Sequence, residues 1–158
     1  MSVAEIMHKN ATCCDQDSTL DDLARTMWEN DLGIVPIIDE RKQLKGVVTD
    51  RDIAMAATLQ HKPLWEMKAS DLIANKQCHV CHPEDDIHDV LKMMSQSQVR
   101  RVPVLNGQGE VMGMIGMHDI VEHTTNSGKA RSENQYAASE LIEALRQVSR
   151  PNLPSASM

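Results

Sequence analysis

Two stretches of this sequence repeat one pattern, and the repetition decides the fold. Residues 19–53 read TLDDLARTMWENDLGIVPIIDERKQLKGVVTDRDI, and residues 86–120 read DIHDVLKMMSQSQVRRVPVLNGQGEVMGMIGMHDI. A shift of 67 residues, the difference between 19 and 86, aligns them without a gap. The aligned identities include Asp22 with Asp89, Met27 with Met94, Val35-Pro36 with Val102-Pro103, Gly46 with Gly113, and Asp52-Ile53 with Asp119-Ile120. The chain therefore contains an internal duplication.

Each copy carries the same order of predicted elements. Apolar residues at helical spacing predict a helix from Leu20 to Met27 and another from Ile87 to Met94. A pair of β-branched runs joined by a polar turn predicts a hairpin after each helix, and a second helical segment follows. The segments ATCCDQ and CHVCHP, which precede the first helices, predict one short strand each.

The expected fold class is α/β, in the form of an α+β sandwich. Two tandem β-α-β-β-α repeats, over residues 1–62 and 63–126, are expected to pack by pseudo-two-fold symmetry, because about 60 residues bury too little surface alone. Residues 127–150 are expected to hold a C-terminal amphipathic helix, over about 133–148, and residues 151–158 a disordered tail. The apolar stripe of this helix packs on its own module or a second copy, or else docks a different protein.

Composition excludes some classes of function. The net charge is −7 with both signs interspersed, so no basic face for nucleic acid is expected. No apolar run approaches the roughly 18 residues that span a bilayer, so no membrane partner is expected. The N-terminal residues show no export pattern. We therefore expect a cytoplasmic location, where the four cysteines remain thiols.

The segment CHVCH, at residues 78–82, matches the C-x-x-C-H pattern of haem attachment. The duplication places Cys81 over Cys14, so this segment is expected to be the first short strand of the second copy rather than a haem site. A metal or redox site of Cys13, Cys14, Cys78 and Cys81 is an alternative. Adjacent residues of a strand point to opposite faces, however, so Cys13 and Cys14 rarely bind one ion together.

The segment VVTDRDI places Thr49 at the end of a strand and Asp52 three residues later. This spacing is typical of a capping box, in which the hydroxyl and the carboxylate each accept a backbone N–H at a helix start. The same place can also bind an anion, and a carboxylate there can accept hydrogen bonds from the vicinal diol of a ribose. The pattern itself leaves both interpretations open.

The duplicated unit resembles a CBS-domain pair, also called a Bateman module. The resemblance covers about residues 2–124 and rests on the leads VAEIM and ASDLI, the two Val-Pro pairs, and the G-x-x-T-x-x-D stretch from Gly46 to Asp52. It implies clefts between the repeats that bind AMP, ADP, ATP or S-adenosylmethionine. The aspartate would hold the ribose, the threonine would approach the phosphate, and the main chain would hold the adenine.

The resemblance also implies the residues of each cleft. The first is expected to comprise Thr12, Cys13, Cys14, Gly33, Ile34, Val35, Pro36, Thr49, Arg51 and Asp52. The second is expected to comprise His79, Val80, Cys81, Arg100, Arg101, Val102, Pro103, Gly116, His118 and Asp119. Arg101 and Arg100 stand where a basic residue reaches across to the phosphates in such proteins.

The second repeat departs from the pattern at two positions. Gly116 stands where the first repeat has Thr49, and His118 stands where it has Arg51, whereas the aspartate is kept. Glycine caps a helix nearly as well as threonine but offers no hydroxyl to a phosphate. The two clefts are therefore expected to be unequal.

The resemblance thus implies a regulatory module rather than an enzyme, with an adenosyl ligand and no required cofactor. No nucleophile is paired with a base in the sequence, so no catalytic residue is expected. We expect a homodimer and a target protein whose identity the sequence does not name. A ligand-free dimerisation scaffold and a thiol-based metal or redox sensor are the alternatives.

Overall fold

The structure is a computed structural model that describes residues 1–123 and 138–150. The first part of the chain contains α1 (Val3–Ile6), β1 (His8–Lys9), β2 (Cys14–Asp15), α2 (Leu20–Glu29), β3 (Ile34–Ile38), β4 (Leu44–Thr49) and α3 (Asp50–Gln60). A 3-10 turn (Leu64–Glu66) then leads to α4 (Ala69–Ile73), α5 (Ile87–Ser97), β5 (Arg101–Leu105), β6 (Val111–Gly116), α6 (Met117–Glu122) and α7 (Ala138–Val148). Residues 133–137 of the expected C-terminal helix and the expected tail at 151–158 lie outside the described residues.

The described residues form two three-stranded sheets, in the orders β2-β3-β4 and β1-β6-β5. Strands β3 and β4 form one antiparallel hairpin, in which Ile34 pairs with Thr49. Strands β5 and β6 form the equivalent hairpin, in which Arg101 pairs with Gly116. Helices pack against each sheet, so the mixed fold class expected from the duplication is confirmed.

The first short strand forms in one repeat and shrinks to a bridge in the other. Cys14 and Asp15 pair in parallel with β3, and the N–H of Gln16 donates to the carbonyl of Ile38 at 3.0 Å. In the second repeat, the described pairing is a bridge between Cys81 and Val104. The residue equivalent to Gln16 is Pro83, which has no N–H to extend the ladder.

Each repeat has its own hydrophobic core, formed by one face of its first helix against its hairpin. Leu20, Leu23 and Met27 are buried on α2, at the spacing of a single helix face. Ile87, Val90, Leu91 and Met94 are buried in the same way on α5. The inward side chains of the central strands, among them Val35, Ile37, Val102 and Val104, are fully buried.

The segments that lead into the two repeats are exchanged between them. Helix α1 buries Val3 and Ile6 in the second core, and β1 pairs with β6. Helix α4 buries Ala69 and Ile73 in the first core. Thus the lead segment before the first repeat packs on the second repeat, and the lead segment before the second repeat packs on the first. Both lead segments therefore connect the two repeats.

A glycine receives each exchanged segment at the same position of the hairpin. A Cβ atom on Gly113 would lie 2.2 Å from the backbone oxygen of His8, so β1 can pair there only with glycine. A Cβ atom on Gly46 would lie 3.0 Å from Cβ of Ile73, a side-chain contact. The aligned glycines of the duplication therefore serve the packing of the leads.

Helix α7 covers the outer face of α5. Leu141, Ala144 and Val148 are buried in the second core, and Nδ1 of His88 lies 3.0 Å from Oε2 of Glu140. No helix in residues 1–123 and 138–150 is long and apolar enough to cross a membrane.

Candidate functional site

A first cleft opens where the end of the first hairpin meets the second repeat. Its walls include Gly33 and Ile34 before and at the start of β3, and Thr49 at the end of β4. The chain that follows α4 supplies residues 76–79, and the second repeat supplies residues 98–101. The cavity volume is about 510 Å³, within the range of small-ligand pockets. We call this cavity cleft 1.

A capping box stands at the edge of cleft 1, as the sequence predicts. The hydroxyl of Thr49 accepts the N–H of Asp52 at 3.1 Å, and Oδ2 of Asp52 accepts the N–H of Thr49 at 2.8 Å. The reciprocal bonds begin α3, so the structural role of these residues is confirmed. Cleft 1 therefore has a carboxylate and a hydroxyl held in place by the helix that they cap.

Lys76 also holds the carboxylate of Asp52, through an ion pair with Oδ2. Partial burial acts to raise the pKa of Asp52, but the hydrogen bonds from Lys76 and Thr49 outweigh it and lower the pKa overall. Asp52 is consequently ionised at neutral pH, the state in which a carboxylate accepts hydrogen bonds from hydroxyl groups.

A second cleft lies at the equivalent place of the second repeat, with a volume of about 410 Å³. Its walls include residues 8–12, residues 30–32 of the first repeat, Gly116 and Asp119. The N–H of Gly116 donates to Oδ2 of Asp119 at 2.7 Å, so the carboxylate caps α6 as Asp52 caps α3. We call this cavity cleft 2.

The shift of 67 residues relates the two clefts almost position by position. Lys76 of cleft 1 corresponds to Lys9 of cleft 2, and Thr49 corresponds to Gly116. Further equivalent pairs are Gln77 with Asn10, Cys78 with Ala11, His79 with Thr12, Gln98 with Asp31, Val99 with Leu32, and Pro103 with Pro36. The pseudo-symmetry of the duplication therefore extends to its cavities.

The structure divides the expected site residues differently from the repeat order. Cleft 1 contains Gly33, Ile34 and Thr49 of the first expected set, together with His79, Arg100, Arg101 and Pro103 of the second. Cleft 2 contains Arg101, Gly116, His118 and Asp119 of the second set, together with Thr12, Ile34 and Pro36 of the first. The exchange of the lead segments explains this division, because the chain leaving β1 passes cleft 2 before it enters the first repeat.

The remaining expected residues lie outside both walls. Val35, Val102 and Cys81 are buried in the cores, and Cys14 packs against the first core. Cys13, Val80 and Arg51 line neither cleft, and Asp52 lies at the margin of cleft 1 through its bonds to Thr49 and Lys76. Strand alternation accounts for the valines, because one side of each strand faces the core.

Among the wall residues that the sequence interpretation missed are two lysines, one in each cleft. Lys9 ends β1 in one exchanged lead segment, and Lys76 follows α4 of the other. They are identical residues at the repeat spacing of 67, between 9 and 76. That identity was the available signal, but it lies outside the gap-free stretch that defined the repeat.

The four cysteines do not come together. Cys78 lines cleft 1, while Cys14 and Cys81 pack in different cores. Burial raises the pKa of each thiol, that of Cys81 to about 12. Among the described residues, no three His, Cys, Asp or Glu are grouped to hold a metal ion. A four-thiolate site is therefore not formed in this fold.

Comparison with known sequences identifies both repeats. The model of the CBS domain family matches residues 3–58 and 69–125. The CBS domain-containing protein YhcV of Bacillus subtilis is 27% identical over 135 residues, which cover 83% of this chain and 91% of that protein. Hypoxic response protein 1 of Mycobacterium tuberculosis is 31% identical over 119 residues, covering 75% of this chain and 82% of that protein.

Solved structures share the arrangement of the two repeats. Hypoxic Response Protein I with two coordinated zinc ions has a TM-score of 0.73 and 29% identity, covering 79% of this chain and all of that one (100%). The CBS domain protein PAE2072 from Pyrobaculum aerophilum, complexed with AMP, has a TM-score of 0.70 and 19% identity over 92% of this chain and 99% of that one. The CBS domain pair of MJ0100, in complex with 5'-methylthioadenosine and S-adenosyl-L-methionine, has a TM-score of 0.66 and 23% identity over 77% of this chain and 94% of that one. The duplicated sequence, the two hairpin sheets and the matched family model together show that this chain belongs to the CBS domain family and carries the domain twice, as a tandem pair.

Proposed function

We propose that this chain is a regulatory module that binds an adenine nucleotide or related adenosyl ligand in the clefts between its repeats, without catalysing a reaction. The observation that carries the proposal is the pair of equivalent clefts. Each has an aspartate that caps a helix at its edge and a lysine delivered by an exchanged lead segment. An acid for a ribose beside a cation for a phosphate is the chemistry that a nucleotide requires.

In cleft 1, the proposed roles follow from the bonds that each group already makes. Asp52 uses Oδ2 for the N–H of Thr49 and for Lys76, which leaves the acceptor positions of Oδ1 for the hydroxyls of a ribose. Lys76, Arg100 and Arg101 then supply positive charge for a phosphate. The backbone at Gly33 and Ile34 would hold the adenine, as the family resemblance implies.

The related structures support this class of ligand. PAE2072 is complexed with AMP, and the MJ0100 pair is complexed with 5'-methylthioadenosine and S-adenosyl-L-methionine. These ligands share an adenosyl group and differ in what the 5' position carries. We therefore propose the adenosyl class for this chain and leave the 5' group to experiment.

Signalling by such a module requires two states that bind the ligand with different affinity. The two repeats are joined through their exchanged leads, so a ligand between them contacts residues that belong to both. We propose that occupancy changes how the repeats pack and, through them, how the module pairs with a second copy. The outer helices of the first repeat expose Trp28 by 87% and Leu59 by 75%, the kind of apolar surface that protein partners cover.

A thermal-shift screen tests the proposal. AMP, ADP, ATP, S-adenosylmethionine and NAD would be compared with guanine nucleotides, on the wild type and on D52A and D119A. We expect a rise in melting temperature with adenosyl ligands that at least one substitution abolishes, because binding to the folded state stabilises it. No shift with any of these compounds would favour the ligand-free scaffold instead.

The structure of Hypoxic Response Protein I contains two coordinated zinc ions, so a metal-binding function for this chain also needs an experimental test. The described residues assemble no four-thiolate site, and the raised pKa values of the thiols oppose thiolate chemistry. Metal analysis and thiol titration of freshly purified protein would separate the two functions. Stoichiometric zinc with protected thiols would favour the sensor of metal or redox state.

A further inference from the structure

Two residues lie on the walls of both clefts, Ile34 and Arg101. The shift of 67 residues makes them equivalent to each other. Each begins the first strand of its hairpin, where Ile34 pairs with Thr49 and Arg101 pairs with Gly116. The partition between the clefts is therefore built from one pair of equivalent residues, of which one is apolar and the other is a permanent cation.

Gly116 makes room for this cation on the side of cleft 2. A Cβ atom at position 116 would lie 3.2 Å from Cγ of Arg101, which is tighter than an ordinary van der Waals contact. The same atom would lie 3.4 Å from Oδ2 of Asp119, at the short end of ordinary contact. The stem of Arg101 thus lies over the backbone where the first repeat has a threonine. Its neighbour Arg100 lines cleft 1.

The guanidinium of Arg101 is available to a ligand. The residue is exposed, and it makes no side-chain hydrogen bond or ion pair with any residue in the described ranges. Lys76, in contrast, is already paired with Asp52. A free guanidinium binds phosphate through two parallel hydrogen bonds. To place both bonds on one phosphate, the Arg101 side chain has to turn toward the cleft that holds that phosphate, and so away from the other cleft.

We propose that Arg101 binds the phosphate of a nucleotide in either cleft but not in both at once, so that the two clefts compete for it. The inference rests on the proposed function and adds a coupling between its two sites. The first nucleotide engages Arg101 and lowers the affinity of the second, and by linkage the effect is reciprocal. A ligand without a phosphate escapes this competition, because it never engages the guanidinium.

Calorimetric titration with AMP tests the sharing of Arg101. The full chain would carry D119A to disable cleft 2 or D52A to disable cleft 1, each with and without R101Q. We expect R101Q to weaken AMP about tenfold or more in both backgrounds, the loss typical of a charge-assisted hydrogen bond. In the wild type, R101Q should weaken the first AMP and leave the second nearly unchanged.

Two controls make the test specific. R100Q removes the adjacent cation and should weaken AMP only where cleft 1 is intact, in the D119A background. Adenosine has no phosphate, so R101Q should leave its affinity unchanged in every background. D52N and D119N replace the alanine variants if circular dichroism shows that those do not fold.

The outcomes separate this inference from the proposed function. A loss of AMP affinity in one background alone would show that Arg101 serves one cleft, and would overturn the inference. Two AMP molecules that bind the wild type independently would do the same. An absence of binding by both AMP and adenosine would overturn the proposed function, and the inference with it.

Discussion

The two repeats share one sequence pattern but differ in what covers them. Helix α7 packs on α5 of the second repeat and buries Leu141, Ala144 and Val148. The equivalent helix of the first repeat, α2, leaves Trp28 exposed by 87%. The repeat pattern therefore determines the inside of each unit, whereas its outside depends on elements that are not duplicated.

The largest expected difference between the repeats concerns the glycines under the exchanged leads. G113A places a Cβ atom 2.2 Å from a backbone oxygen, which side-chain movement cannot relieve, and G46A meets only the side chain of Ile73. We expect G113A to lower the free energy of unfolding by about 3 kcal/mol and G46A by about 1 kcal/mol, measured by urea denaturation. G107A, with nothing within 4 Å, is the control. Equal losses at both glycines would contradict the exchange of β1.

The second prediction concerns the cover on α5. L141A removes a side chain that is 8% exposed and should lower the free energy of unfolding by about 2 kcal/mol. I142A, on a neighbouring residue that is 52% exposed, should change it by no more than about 0.5 kcal/mol. If the two variants unfold at the same urea concentration, α7 does not pack on α5 in solution.

The third prediction concerns the open face of the first repeat. W28E places a charge in the apolar surface that we propose for pairing with a second copy, and should weaken the proposed homodimer about tenfold or more. Sedimentation equilibrium measures this change. M112E introduces the same charge on β6, at a residue 41% exposed, and should leave the dimer intact. An unchanged mass distribution for W28E would place the contact elsewhere.

The smallest expected effect is the difference in stability between variants of the two equivalent lysines, Lys76 and Lys9. The pKa of Asp52 is lowered in the folded state, so its bond with Lys76 stabilises the fold above the pKa of an unfolded aspartate, about 3.9. That contribution is lost as the pH falls through the lower folded value. We expect K76M to cost less than about 1 kcal/mol at pH 7, because the pair is partly exposed, and nothing at the acid end.

K9M is the matched control for the fourth prediction. Lys9 makes no ion pair with a residue of 1–123 or 138–150, so K9M should show no acid-dependent difference from the wild type. Melting temperatures across the acid range measure both variants. A pH-independent loss in K76M would mean that the lysine stabilises the fold by packing rather than by charge.

Much of this architecture follows from the duplication. The shift of 67 residues predicts the paired hairpins, the capping role of Thr49 and Asp52, and an equivalent aspartate, Asp119, at the start of the second helix. The exchange of leads could not be predicted, because identical patterns on both repeats do not say which copy a lead segment packs on. The placement of Thr12 in cleft 2 and of His79 in cleft 1, the reverse of the expected assignment, depends on that exchange, and so does the ion pair of Lys76 with Asp52.

For the expected strand at CHVC, the duplication predicts the pairing partner correctly but not the length of the strand. Its alignment over the first strand is correct, since Cys81 pairs with Val104 in parallel. The ladder stops there because the aligned position beyond it holds Pro83, which cannot donate a hydrogen bond. The pairing register of this strand is therefore the same in both repeats, whereas the length of the strand depends on which residues can donate the next backbone hydrogen bond.

Because the lead segments are exchanged, dividing the chain at the boundary between the two sequence repeats would not give two fragments with complete hydrophobic cores. A fragment ending at residue 62 would carry α1 without the core that buries it and would lack Met67, Ala69 and Ile73 from its own core. The complementary fragment would have the opposite defect. Each half thus needs the other half to complete its hydrophobic core. The two repeats are therefore expected to fold and unfold together, as one cooperative unit.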